Sequence, residues 1–253
     1  MAKAKPKLKK PASAKRKRGD DESAGSSAPD GAIVDDRTWT NGDFTLISSD
    51  NVRFRVDGVH LFSPSAVFRA AADLNPRDRT ARFTDTEYET ASVVKNFLDF
   101  VVKFRTSQFK EQHRRMYISR EGVSPFVQLA RFLHKYDSRV ELRRLLYVFG
   151  KEVGHSYDLY ARDSFIIAAL AGDVNACSDA IEATSGASDK GTSDSFMDLH
   201  ALVPANIPPV VKEMIPAHYW VALCKGWERS GKHRNRSEWA HHFELLIDGG
   251  ASK

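Results

Sequence analysis

Nine histidines, two cysteines and 33 carboxylates are the groups with which this 253-residue chain could do acid–base, nucleophilic or metal chemistry. Their spacing does not favour any of the three. The sequence has no glycine-rich phosphate loop, no GxSxG elbow, no HExxH and no CxxC. His233, His241 and His242 cluster near the end, but adjacent helical residues point about 100° apart, so His241 and His242 do not share a metal easily. Cys177 and Cys224 are too few and too far apart for a disulfide framework or a zinc site, and read as free thiols in a reducing compartment. The expectation is a protein that is not an enzyme, with no catalytic residue, no cofactor and no metal.

The other chemically distinctive residues are cations. Residues 1–18 hold seven Lys and two Arg with no acid, and residues 19–31 are Gly, Asp, Ser, Ala and Pro with one Glu. Such a segment buries too little apolar surface to offset its conformational entropy, so residues 1–31 read as a disordered basic tail. Lys15, Arg16, Lys17 and Arg18, with Lys9-Lys10 upstream, fit a nuclear localisation signal, consecutive cations that an importer can grip. A solvated tail, or loose phosphate binding, are the alternatives. No apolar run follows the cations, which argues against a secretory signal, and the Lys- and Pro-rich composition argues against a mitochondrial presequence. Without those nine cations, 29 basic residues stand against 33 acids, a balance of −4 with every acid kept, so the basicity of the chain belongs to its tail. No apolar run approaches 18 residues, and no membrane span is expected.

The remaining 220 or so residues must supply the folded part. Asp43–Leu74 is its most patterned stretch. Phe44, Leu46 and Ile47 form an apolar strand, Ser48-Ser49-Asp50-Asn51 a tight turn, and Val52, Phe54 and Val56 alternate with Arg53 and Arg55 as a strand with one buried face. After Asp57-Gly58, Ser63 is placed to cap a helix with Pro64 at its first position. Its core face would be Ala66, Val67, Ala70, Ala71 and Leu74, with Phe68 beside it and Asn75-Pro76 as the stop.

This hairpin and helix resemble the opening of a BTB/POZ domain. The family pattern is carried by Asp43, the strands Phe44–Ile47 and Val52–Val56, and Leu61, Ser65 and Phe68. The later stretch Phe126–Phe149 is similar to the family's helical pair, with Ala130 and Tyr136 at the matching positions. The resemblance covers roughly residues 40–150 and is weaker to 250. It implies an α+β fold, a small sheet with surrounding helices, followed by an all-helical extension of the kind found in fungal members. Two positions depart from the pattern: Asp57 stands where the family usually has histidine, and Gly58 where many transcription-factor members have the arginine that pairs with the residue at Asp43. That puts a corepressor groove of their type in doubt.

Further along, Thr80–Thr84 reads as a strand. Thr86 and Glu89 read as a capping box leading into a helix over Tyr88–Phe104, whose core positions are Ala91, Val94, Phe97, Leu98, Val101, Val102 and Phe104. Residues 105–122 are charged and read as a surface insertion. Ser124-Pro125 repeats the cap-plus-proline start and opens two helices, 125–136 and 139–152. The domain division expected is 1–31 tail, 32–152 BTB/POZ-like domain and 153–253 helical extension. In the extension, helices are expected over Tyr157–Leu170, from Asp173 as cap to Ala183, and over about 209–229 with Pro216 kinking or dividing it, with a last short helix starting at Ser237 and residues 184–194 a loop. Tyr219, Trp220, Leu223 and Trp227 share a face there, and Trp239, Phe243, Leu246 and Ile247 line the last helix.

Three functional readings follow. The leading one is a non-enzymatic nuclear protein–protein interaction module. Next is a substrate adaptor of a cullin-type ubiquitin ligase, a role the resemblance implies for some members. Nothing after Lys253 supplies a separate substrate domain, so the helical extension would carry that task. The third is a transcription-associated regulator whose basic tail touches DNA without sequence specificity, since two cysteines cannot build a zinc-finger array. A homodimer stays open. The family's exchanged strand and preceding helix need more than the ten or so residues of Ala32–Gly42.

Overall fold

The structure, a computed structural model, describes residues 31–74, 77, 79–103, 123–152, 158–183, 201–231 and 235–249, with 150–152 and 158–160 as backbone. The localisation motif, the stop at Asn75-Pro76, the insertion 105–122 and the loop 184–194 lie outside them. The described part is a mixed α+β fold of four strands and ten α-helices among these residues.

The alternation read at Val52–Val56 is the centre of the sheet. β1 (Val34–Thr40), β2 (Phe44–Ile47), β3 (Val52–Val56) and β4 (Thr80–Arg82) lie in the order β1-β3-β2-β4. β2 runs antiparallel to β3, with Phe44 opposite Val56 and Leu46 opposite Phe54, while β1 joins β3 and β4 joins β2 in parallel. The period of two sends Phe44, Leu46, Phe54 and Val56 into the core, and Arg53 and Arg55 outward.

β1 is an element that the sequence reading lacked. Its composition is mostly polar, and one residue fixes it: Trp39 is buried, with the Lys103 ammonium 4.3 Å from its ring centroid. The Asp36 side chain accepts from the Thr38 and Trp39 amides at 2.7 and 2.9 Å, where the pairing with β3 shifts register. At the following turn, Gly42 has φ +143, and an added Cβ would lie 2.1 Å from the Val56 carbonyl carbon. Only glycine fits there.

The helices are α1 (Val59–Phe62), α2 (Ala66–Leu74), α3 (Ala91–Val101), α4 (Pro125–Lys135), α5 (Arg139–Glu152), α6 (Asp158–Ala171), α7 (Val174–Glu182), α8 (Pro209–Lys212), α9 (Ala217–Arg229) and α10 (Arg236–Asp248). Several starts are those read from sequence. Ser124 accepts from the Val127 amide ahead of Pro125, Asp173 accepts from the Ala176 amide, and Pro216 divides α8 from α9.

Others are corrected. Ser63 closes α1 with its amide on the Val59 carbonyl, and Ser65, not Ser63, caps α2. Thr86 and Glu89 form no capping box. α3 begins at Ala91, whose amide is taken by Asp50 of the β2–β3 turn at 2.7 Å, and Glu89 is used elsewhere. α10 starts at Arg236, one residue before the expected Ser237, and Asn235 caps it by accepting from the Ser237 amide.

All these elements belong to one compact unit, Ile33–Lys253. α3 lies against α4, α4 against α5 and α6, α6 against α7, and α10 against α7 and α9. A single hydrophobic core runs from Phe54 through Phe97, Phe132 and Phe165 to Trp239 and Phe243, and so crosses residue 152 without interruption. α6 is apolar on most sides, as expected of a helix enclosed by others, and also buries Arg162 and Asp163, whose Nε and Oδ1 are 3.6 Å apart.

Candidate interaction surface

Ser65, Phe68 and Tyr136, three of the residues that carry the resemblance, meet in one place. The Ser65 hydroxyl donates to the Tyr136 carbonyl at 2.5 Å and accepts from the Phe68 amide at 3.2 Å, so one side chain both caps α2 and ties it to the end of α4. Phe68 drops into the core and stacks on Tyr136, with ring centroids 4.7 Å and planes 5° apart, between Phe83 and Phe97. Leu61 and Ala130 are fully buried in the surrounding packing. Asp43 stands apart from this group. It accepts from the Gly58 amide at 2.7 Å and pairs with Arg79, a partner the sequence reading did not identify.

Behind Tyr136 lies a buried carboxylate. Glu89 is 2% exposed. Its Oε2 accepts from the Thr84 and Asp85 amides at 2.9 and 2.8 Å; its Oε1 accepts from the Tyr136 hydroxyl at 2.5 Å and the Lys135 ammonium at 2.7 Å. Burial alone would raise its pKa, but the donors from Lys135, Tyr136 and the two amides outweigh burial and hold it below the usual value. Burial likewise works against the Lys135 charge, and its bonds to Glu89 and Asp85 reverse that, raising its pKa. The Tyr136 hydroxyl is pushed up by burial and by the Glu89 carboxylate. The arrangement ties the end of β4, the approach to α3 and the end of α4 together, and so positions what packs on Tyr136.

What it positions is α2, and here the sequence expectation is overturned. Ala66, Val67, Ala70, Ala71 and Leu74 do form one stripe, but it faces outward: Phe68 is the buried residue of the helix, and Leu74 is 87% exposed. The reason is geometric. Ser65 sets the rotation of the helix, and Phe68 lies about 100° round from Val67, so seating the larger aromatic turns the aliphatic stripe away. Arg69 locks the rotation by donating from Nε to the Phe62 carbonyl at 3.1 Å. Val59 on α1 is also exposed, at 65%.

No group of three or more His, Cys, Asp or Glu among the described residues could hold a metal ion, and His241 and His242 have ring centroids 5.9 Å apart. Cys177 is buried and Cys224 half-buried, both unpaired with another cysteine, and burial raises the pKa of each thiol. Trp220 and Trp227 are half-buried while Tyr219 and Leu223 are buried, so that face of α9 is largely core. No described helix is long and apolar enough to cross a membrane. Comparison of the chain with protein families, with curated proteins and with solved structures finds no match.

Proposed function

We propose that this chain is a non-enzymatic, nuclear protein–protein interaction module, built on a BTB/POZ-like domain, whose docking element is the exposed face of α2. The observation that carries the reading is the rotation of that helix: one aromatic anchors it, and its whole aliphatic stripe faces solvent. Five apolar residues on one exposed helix face make a contiguous patch of the kind that marks contact sites, unlike single exposed aliphatics.

The occupant we assign is a second copy of the chain. An antiparallel two-fold pairing centred between Ala70 and Ala71 sets Val67 against Leu74 of the other copy and Ala70 against Ala71. The same pairing brings Arg69 beside Asp73 of the other copy on the flank, so the surface is complementary to itself in shape and in charge. The alanines allow close approach. A nine-residue helix is only about 13 Å long, so it supplies a fraction of the roughly 800 Å² per partner of a stable interface. The dimer is therefore weak and concentration-dependent.

Light scattering on the full chain over a concentration series tests this. Wild type should move from monomer towards dimer, and Ala70→Glu should stay monomeric at every concentration. A wild type that remains monomeric at the highest concentration removes the second copy. In that event a mixed complex with a cullin N-terminal domain that Ala70→Glu abolishes would make the ligase-adaptor reading the better one. For the nuclear part, replacing Lys15, Arg16, Lys17 and Arg18 with alanine should move a fluorescent fusion out of the nucleus. Unchanged retention overturns it.

A further inference from the structure

The outer face of the sheet carries a second, differently constructed surface, independent of α2. Strand register places its side chains. One row across the sheet reads Thr40, Arg55, Thr45, Thr80, and the next reads Asp35, Arg53, Ile47, Arg82. Ile47 points away from the core yet is only 8% exposed. The register sets it between Arg53 and Arg82, the neighbours whose long aliphatic stems are placed to cover it.

We propose that this face binds an acidic, extended peptide segment of another protein. The chain shows how the face takes a carboxylate, because one of its own is already there. Arg53 holds Asp35 in a two-point fork, Nε to Oδ1 at 2.5 Å and a terminal nitrogen to Oδ2 at 2.9 Å. The side chains of Arg55 and Arg82 are exposed and make no hydrogen bond or ion pair among the described residues, although the Arg55 charge acts on Asp35 nearby. They stand two strands apart and two residues out of register, which puts their Cα atoms about 12 Å from one another. In an extended chain, residues i and i+4 lie on one side about 13 Å apart. Two acids with three residues between them therefore match the pair.

A peptide fits better than a nucleic acid. Sheets that bind single strands stack bases on aromatic rings, and the outward residues of both rows include none. The cationic character is also local: past residue 31 the 29 basic residues meet 29 acids, the 33 of the chain less Asp20, Asp21, Glu22 and Asp30.

The test is fluorescence anisotropy with the full chain and a labelled twelve-residue peptide of alternating Glu and Ser, against a single-stranded oligonucleotide of equal charge. The basic tail contributes equally to wild type and variant, so the difference between them reports the sheet. Arg55→Glu/Arg82→Glu should weaken peptide binding about tenfold or more, each arginine giving one exposed charge-assisted contact, and should change oligonucleotide binding less. Arg55→Gln/Arg82→Gln should lose part of the affinity, and keeps the test usable if the charge reversal disturbs folding. Equal peptide affinity in wild type and both variants overturns the proposal. So does an oligonucleotide that loses as much as the peptide, which would make the face a generic polyanion patch.

Discussion

Replacing Glu89 with glutamine keeps the size and shape of the side chain but removes its charge and one acceptor oxygen. In the native arrangement four donors converge on the two carboxylate oxygens: the Thr84 and Asp85 amides on one, Tyr136 and Lys135 on the other. The glutamine oxygen can keep the two amides. Its NH2 group then faces Tyr136, whose hydroxyl can turn to accept, and Lys135, which has no acceptor. One charge-assisted bond becomes a neutral one, another becomes donor against donor, and Lys135 keeps only Asp85 at 3.0 Å. Hydrogen bonds to a buried charge contribute about 1.5–3 kcal/mol each. The Lys135 side chain is 45% exposed, so its share is screened to about 1 kcal/mol or less. The expected loss at pH 7 is about 2–3 kcal/mol.

Urea unfolding of wild type, Glu89→Gln, Tyr136→Phe and the double variant measures it. Tyr136→Phe should cost about 1–2 kcal/mol, and the double variant less than the sum of the two, because both singles break the same bond. The pH dependence gives a second, independent readout. Glu89 titrates below its ordinary value of 4.5 in the folded protein. Its contribution is therefore complete above the unfolded value and is lost as the pH falls through the folded one, so the gap between wild type and Glu89→Gln closes in acid. Lys135 has a raised pKa, so its share is complete below 10.5 and is lost only as the pH rises through the folded value above that. A midpoint for Glu89→Gln equal to wild type at pH 7, or a gap unchanged at pH 3, refutes the reasoning.

Gly42→Ala should cost about 3 kcal/mol or more in the same assay, since the new methyl meets the Val56 backbone at a φ that other residues rarely adopt. Gly226→Ala should cost about 1–3 kcal/mol, because its Cβ would come within 3.2 Å of the Phe243 amide nitrogen and the Trp239 carbonyl oxygen, where α9 and α10 cross. Trp239→Phe should lose about 2–3 kcal/mol. It deletes the 3.0 Å bond from the indole nitrogen to the Leu223 carbonyl and leaves part of a fully buried site empty.

Much of the scaffold was legible because its signals are local. Alternation at Val52–Val56, proline after Ser124, and Asp173 three residues before the amide it caps each act over a few residues, and each stands in the structure where its spacing placed it. The misses share the opposite property. Trp39 makes β1 a strand only through the core it enters, Asp50 caps a helix 41 residues away, and Glu89 serves amides behind it and side chains from α4. A capping pattern such as Thr86–Glu89 specifies donors and acceptors but not which partner will outbid the near one. The outward arginines were visible as an alternation, but their grouping needed the strand order β1-β3-β2-β4.

The stripe on α2 is the most instructive case, since periodicity identified its members and misjudged its direction. Amphipathic spacing says that one face of a helix differs from the other; it does not say that the protein's own core covers the apolar one. Two polar facts decide the direction here. The Ser65 hydroxyl is tied to the Tyr136 carbonyl, and Tyr136 is tied to Glu89, so the rotation of α2 is set by a chain of hydrogen bonds that reaches through Tyr136 to Glu89. Loosening that chain should therefore act on the surface as well as on stability. In Glu89→Gln, amide hydrogen exchange in α2 should quicken more than in α10, which lies outside the network, and Ala70-dependent self-association should weaken. If α2 and α10 quicken alike, the carboxylate stabilises the fold as a whole and does not set the presentation of the helix.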